Sequence, residues 1–321
     1  MKLTAGVVLT LTGATLWVAA QQGSGSPVTA GFHATREGFA YFEHRHHAGN
    51  RIGYRFFEHT PMVFGTVPRD EREAGIDSAG EARLWREFGA RPGVLRHEAV
   101  VKGKEWAPQK WTFQLLPVED GIEMLLRVEA GPAGLNAYYG VQQCFRLGGE
   151  TNEAWRQEIA RTTAFSEYDY WDELSKAGRD PESLTWVRRQ GVWERLPANK
   201  ETVGARTPLG RKWDEARTGG DLSAMPRVGP YEAVMLAAVD DGLITRADRE
   251  RKWVGGIYWQ QTSHVTVHHP ADCLHSIINI GGIPPGGVRV LRGKIYWLPG
   301  GLETLAQRWE ADFGRDADRK P

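Results

Sequence analysis

Val94-Leu95-Arg96-His97-Glu98-Ala99-Val100-Val101, then Gln109-Lys110-Trp111-Thr112-Phe113-Gln114-Leu115-Leu116, then Ile122-Glu123-Met124-Leu125-Leu126-Arg127-Val128-Glu129 are three short runs rich in β-branched, aromatic and leucine side chains. Lys102-Gly103-Lys104 and Val118-Glu119-Asp120-Gly121 join them with the glycine and charge typical of turns. Neither connection has room for the crossover of a dozen or more residues that parallel pairing needs, so the three runs form an antiparallel meander. The same pattern continues on both sides. Upstream, Phe39 to His47 and Arg51 to His59 flank Ala48-Gly49-Asn50 as a hairpin, and downstream Tyr138 to Leu147 extends the meander. Strand patterns return at Ala233 to Val239, Lys252 to Trp259, His264 to His269, Leu274 to Ile280 and Val288 to Trp297.

Helical signals are few. Ala82 to Phe88 is helix-compatible, and Leu302 to Phe313 places Leu305, Trp309 and Phe313 on one face at i, i+4 and i+8. Between about 148 and 230 the alternation lapses. Asn152 caps a helix to about Arg161, Ser166 with Asp169 starts a second through Leu174, and Trp186, Trp193 and Trp213 follow among Arg, Gly and Pro. The expected architecture is therefore all-β: a large antiparallel β-sandwich, chosen over a barrel, with a helical and irregular insertion at 148–230 and a C-terminal helix. One domain is expected over 36–313, with a frayed tail at 314–321.

The 321 residues carry 40 basic and 40 acidic side chains, a formal net charge of zero. Such a balance offers no field to collect nucleic acid or an anionic membrane surface, and neither is expected as a partner. With 41% hydrophobic and 25% charged residues the composition is that of a globular chain. Thirteen Trp and 38 Gly point to many turns and many flat aromatic surfaces, of the kind sugars stack on.

At the N-terminus, Lys2 precedes an uncharged stretch from Leu3 to Trp17 that ends in Val18-Ala19-Ala20. This is the pattern of a signal peptide, 1–20, cut after Ala20, with a flexible leader at 21–35. A secreted or periplasmic protein with no membrane insertion after cleavage is the expectation. Cys144 and Cys273 would then sit where a disulfide persists, and either one bridge or two buried thiols fits their apolar surroundings. Two isolated cysteines do not make a zinc motif.

Three groups of residues carry chemistry. In His264-Val265-Thr266-Val267-His268-His269-Pro270 the valines claim the core, which turns His264, Thr266 and His268 to the opposite face, with His275 on the next strand. Within Glu43-His44-Arg45-His46-His47, alternation groups His44 with His46 as weak candidates for a divalent metal and puts Glu43 on the other face, with Arg51 and Arg55 across the hairpin. No His-Glu-x-x-His spacing supports a metal, and no cofactor is otherwise expected. The third group is Gln142, Gln143, Arg146, Asn152, Trp155, Tyr168 and Trp171, which offers the flat apolar faces and paired donors that a pyranose needs. There is no Gly-x-Ser-x-Gly elbow and no phosphate-binding glycine loop, which argues against serine hydrolysis and nucleotide chemistry.

Val265 to Pro270, Cys273-Leu274-His275-Ser276, the Pro284-Pro285-Gly286-Gly287 turn running into Leu291 to Tyr296, and the strands Gly121 to Val128 and Gln143-Cys144-Phe145 are similar to the galactose-mutarotase-like supersandwich superfamily of carbohydrate-active proteins. That resemblance spans about half the chain. It implies a supersandwich, a mono- or polysaccharide ligand, and Cys144 and Cys273 on neighbouring strands. For a lyase, epimerase or hydrolase of this kind, His268 and His275 are the acid/base candidates. Arg51 or Arg146 would neutralise a carboxylate or oxyanion, and Glu43 or Glu232 would serve as carboxylate. Arg146, Asn152, Tyr168, Trp171, Tyr258 and His264 are the candidates for holding substrate. A non-catalytic carbohydrate-binding or surface-scaffold protein is the alternative.

Overall fold

The computed structural model of the chain describes residues 25–32, 38–47, 50–103, 107–147, 164–198, 201–225, 227–229, 232–269 and 272–317. Two large sheets face one another. The first has nine strands in the spatial order β1 (Val28–Phe32), β2 (Phe39–His44), β3 (Arg51–Phe64), β7 (Tyr138–Arg146), β16 (Cys273–Asn279), β15 (Thr262–His268), β10 (Thr202–Arg206), β12 (Ala233–Met235), β11 (Arg227–Val228). The second has eight, in the order β4 (Leu95–Val101), β5 (Gln109–Val118), β6 (Gly121–Ala130), β17 (Val288–Pro299), β14 (Trp253–Trp259), β13 (Ile244–Ala247), β8 (Thr185–Arg189), β9 (Val192–Arg195). The named strand pairs are antiparallel apart from β10 with β12. This is the all-β sandwich expected, and the meander β4–β5–β6 lies where its turns place it.

The core lies between the sheets. Phe42, Tyr54, Phe56, Phe145, Val265 and Leu274 from the first sheet meet Trp111, Phe113, Leu126, Ile257, Trp259 and Trp297 from the second. A polar chain crosses this layer. Trp259 Nε1 donates to the Tyr54 hydroxyl at 2.7 Å, and that hydroxyl donates to Gln143 Oε1. Burial pushes the Tyr54 pKa well above its ordinary value, so the phenol keeps the proton it donates.

The helices are α1 (Glu71–Ala74), α2 (Ser78–Gly89), α3 (Glu167–Lys176), α4 (Pro208–Thr218) and α5 (Leu302–Ala317). None among the described residues is long and apolar enough to cross a membrane. On the outer side of the eight-stranded sheet, α5 lays Leu305, Trp309 and Phe313 against Val254, Tyr296 and Leu298, as its spacing requires. On the outer side of the nine-stranded sheet, α4 starts at a Thr207 cap, with Pro208 in its first turn, and buries Trp213 against Met62, Val228 and Ile277. The approach is close enough that a Cβ on Gly210 would lie 1.9 Å from the Ser263 carbonyl oxygen, which restricts that helix position to glycine.

Two stretches differ from expectation. Part of the expected leader, Val28–Phe32, is the edge strand β1, with Val28, Ala30 and Phe32 in the core. The stretch around 148–230 supplies β8 and β9 to one sheet and β10 and β11 to the other as well as helices. β8 and β9 form a hairpin across Gln190-Gly191, both in the left-handed region at φ 53° and 76°, the pair that a two-residue hairpin turn demands. The signal peptide and the helix expected from Asn152 to Arg161 lie outside the described residues.

Candidate functional site

On β15, Val265 and Val267 enter the core, so His264, Thr266 and His268 face outward from the nine-stranded sheet. Likewise Leu274 and Ile278 turn Cys273, His275 and Ile277 outward on β16, and Val141 and Phe145 turn Gln142, Cys144 and Arg146 outward on β7. Strand register then sets these residues in rows. Gly53, Arg146, Cys273, His268 and Thr202 form one row across β3, β7, β16, β15 and β10, and Arg55, Cys144, His275, Thr266 and Gly204 form the next.

Glu58 joins them by an irregularity. The register of β3 shifts between Arg55 and His59, where Phe56 and Phe57 both turn to core rings, Phe113 at 4.1 Å and Trp111 at 5.4 Å. The next side chain, Glu58, therefore comes out on the outer face, which is what a bulge does to strict alternation. Its Oε1 accepts from Arg146 at 3.0 Å and its Oε2 from Gln142 Nε2 at 2.9 Å; His275 Nε2 is 3.4 Å from Oε2, and Arg55 is 3.7 Å from Oε1. Burial alone would raise this carboxyl's pKa, but His275, Arg146 and Gln142 outweigh it and hold it at about 2.

His275 is buried, with Nδ1 3.1 Å from Thr266 Oγ1. His268 is half-buried, with Nδ1 2.6 Å from Thr202 Oγ1 and its ring 6.3 Å from that of His275. Burial, then the His275 imidazole beside it, push His268 down to about 4. It is neutral at pH 7 and able to accept a proton, and Arg146 on the same face favours developing negative charge. Cys144 and Cys273, diagonal neighbours on this face, are buried and not joined by a disulfide, and burial pushes the Cys144 thiol well up.

The other expected site residues separate into different places. Glu43 and Arg51 share the outer face but pair with each other in the hairpin, with Arg51 over the Tyr41 ring at 5.2 Å. His264 faces the same way as His268 but is sealed under α4, 3.2 Å from Asp214, which also pairs with Arg206. Tyr258 is on the outer side of the other sheet, against Trp309 and Phe313. Trp171 packs on His269, not His268, and donates to the Glu182 carbonyl. Glu232 is an exposed turn residue whose carbonyl accepts from Arg227. Asn152 and the side chain of Tyr168 lie outside the described residues.

His44 and His46 do not share a face of a strand, because β2 ends at His44 and residues 45–47 turn. His44 packs against Trp253 and Trp297, and burial with His46, His47 and Arg45 nearby lowers its pKa to about 4. These histidines border a cleft of about 890 Å³ shared with Arg45, Arg91 and Trp253. Among the described residues the group of donors close enough to hold a metal is instead Cys144, Cys273 and His275.

Beside the site lies a second charged cluster. Arg246, fully buried, donates to the Phe165 carbonyl at 2.9 Å and to Thr185 Oγ1 at 2.8 Å, and pairs with Asp272 and Glu167. Glu167 also meets His269 Nδ1 at 2.7 Å and accepts from Ser183 at 2.8 Å. This network ties α3 to the turn between β15 and β16, and so fixes the strand ends that carry His268 and Cys273.

No family model matches the chain, and no curated protein matches it. Among solved structures, the Slr1438 protein of Synechocystis sp. PCC 6803 aligns over 91% of this chain and 99% of its own at 9% identity and a TM-score of 0.43. A candidate aldose 1-epimerase from Escherichia coli K12 aligns over 64% and 65% at 9% identity and a TM-score of 0.31. A glycosyl hydrolase family 38 protein from Enterococcus faecalis aligns over 89% of this chain and 24% of its own at 10% identity and a TM-score of 0.31. Likenesses this distant carry no argument about activity.

Proposed function

We propose that the protein is an exported carbohydrate-active protein whose saccharide site is the outer face of the nine-stranded sheet around His268. The observation that carries this reading is the placement of His268, Arg146, Arg55 and Glu58 on one face of β15, β7 and β3, with β16 and its His275 between β15 and β7, and with His268 and Arg55 at the accessible side. His268 accepts a proton from a sugar hydroxyl or ring carbon, and Arg55 and Arg146 hold the negative charge that develops, or a uronate carboxylate. Glu58 is the ionised partner that orients Arg146, while Phe39 under Arg55, 5.2 Å from the guanidinium, and Tyr41 under Arg51 extend an aromatic margin for a ring.

The test is a glycan-array screen of the purified protein, followed by product analysis on the best ligands. A bound saccharide that is converted supports catalysis at this site. Binding without conversion leaves a carbohydrate-binding protein, and the absence of any saccharide ligand overturns the reading. Export rests on the 1–20 pattern: N-terminal sequencing of secreted protein is expected to begin at Gln21, and Met1 retained in a membrane fraction would refute it.

A further inference from the structure

We infer that Cys144, Cys273 and His275, completed by Glu58, form a zinc site on the outer face of the nine-stranded sheet. The ligand atoms of the first three lie within 4.8 Å of one another, and all three residues are buried. Zinc bonds of about 2.3 Å to sulfur and about 2.0–2.1 Å to nitrogen set tetrahedral ligand separations of roughly 3.5–3.8 Å, so side-chain rotation of about an ångström gathers them without moving the ladder.

The imidazole is already oriented. Nδ1 stands 3.1 Å from Thr266 Oγ1, and in the tautomer that donates there the Nε2 lone pair faces Glu58 and the metal position; this is the outer hydrogen bond that metal-binding histidines use to fix ring and tautomer. Glu58 Oε2 lies 3.4 Å from that nitrogen, a long contact for a hydrogen bond but close to the ~3.3 Å that separates nitrogen and oxygen ligands across tetrahedral zinc. Arg146 holds the other carboxylate oxygen, and Gln142 holds this one. Two thiolates and a carboxylate around a divalent ion leave one negative charge, which Arg146 and Arg55 beside it more than offset.

Register favours a metal over a bridge. Cys144 stands opposite His275 and Cys273 opposite Arg146, so the two cysteines are diagonal. Diagonal Cα atoms in an antiparallel pair are about 7–8 Å apart, at or beyond the ~7 Å limit for a disulfide without backbone movement. A zinc ion spans that diagonal, and the two-thiolate, one-imidazole set selects it over harder divalent ions. Two thiol protons leave as it binds. Four protein ligands make the site closed and structural. It leaves His268 unused but shares Glu58, Arg146 and Arg55 with the saccharide site, and because its test reads bound metal and not a saccharide, the two readings fail separately.

The experiment uses the full chain, stripped with chelator under reducing conditions and titrated with Zn²⁺ or Co²⁺. One zinc per chain by elemental analysis is expected, and cobalt should give a thiolate charge-transfer band in the near ultraviolet with tetrahedral ligand-field bands in the visible. Cys144→Ser should abolish the band. Thr266→Val, which keeps every ligand, should weaken zinc binding about 10–100-fold while retaining the stoichiometry. Cobalt bound by wild type without the charge-transfer band, no zinc in reduced protein, full zinc retention by Cys144→Ser, or a Cys144–Cys273 disulfide in the native protein would each overturn the inference.

Discussion

Replacing Arg246 by methionine is expected to destabilise the protein by about 3–5 kcal/mol, because it strands two carboxylates in the interior. Arg246 is wholly buried and is the cation that Glu167 and Asp272 share. Burial alone would raise the Glu167 pKa, but Arg246 and His269 hold it at about 2, against an ordinary 4.5. A carboxyl depressed in this way adds stability that is complete above pH 4.5 and is lost as the pH falls toward 2. In the variant that contribution is gone, so wild type and variant should converge as the solution is acidified across that window. Urea unfolding at neutral and acidic pH measures both effects. A triple change, Arg246→Met with Glu167→Gln and Asp272→Asn, should recover part of the loss, since it removes the stranded charges along with their partner. A neutral-pH loss below about 1 kcal/mol, the scale of a solvated surface pair, would show that the network is not closed to water.

His268→Ala is expected to lower turnover of the saccharide identified by the screen about 10²–10⁴-fold, the range for loss of a positioned acid/base group. Its half-buried ring leaves stability near wild type, so thermal unfolding should move little. His264→Ala provides the contrast. His264 is fully buried beside Asp214, so the same truncation there should cost stability before it costs chemistry. Turnover unchanged in His268→Ala, with His264→Ala destabilised as expected, would remove His268 from the reaction and leave a binding surface.

Two-residue alternation was enough to read the strands and the outward histidines, because Val265 and Val267 leave the strand only one orientation. The same alternation misplaced the metal candidates, since it carries past His44 only if the strand does, and the chain turns there. Glu58 was invisible to it for the opposite reason. A bulge breaks the period at Phe56 and Phe57, and nothing in a strand pattern marks a bulge without glycine. Trp171, chosen for the aromatic density of its stretch, packs on His269, which points to the opposite side of the sheet from His268, and aromatic composition carries no information on which side a helix presents. The hairpin of β8 and β9 had a readable signal in Trp186-Val187-Arg188-Arg189-Gln190-Gly191-Val192-Trp193-Glu194-Arg195, two alternating runs around a turn pair, masked by its high arginine content.

Both sheets are sewn shut in the middle by late strands: β6 pairs with β17, and β7 pairs with β16. A chain extended only as far as Arg146 would hold two bare ladder edges, one per sheet, with all their partners still to come. Such edges invite association with other chains, and pairing across so long a separation is slow to nucleate. Under the proposed export, with the chain threaded through a membrane N-terminus first, the delay would have a use. The sandwich cannot close before residues 273–299 have emerged, so this connectivity would keep the chain loose for passage and postpone folding to the far side.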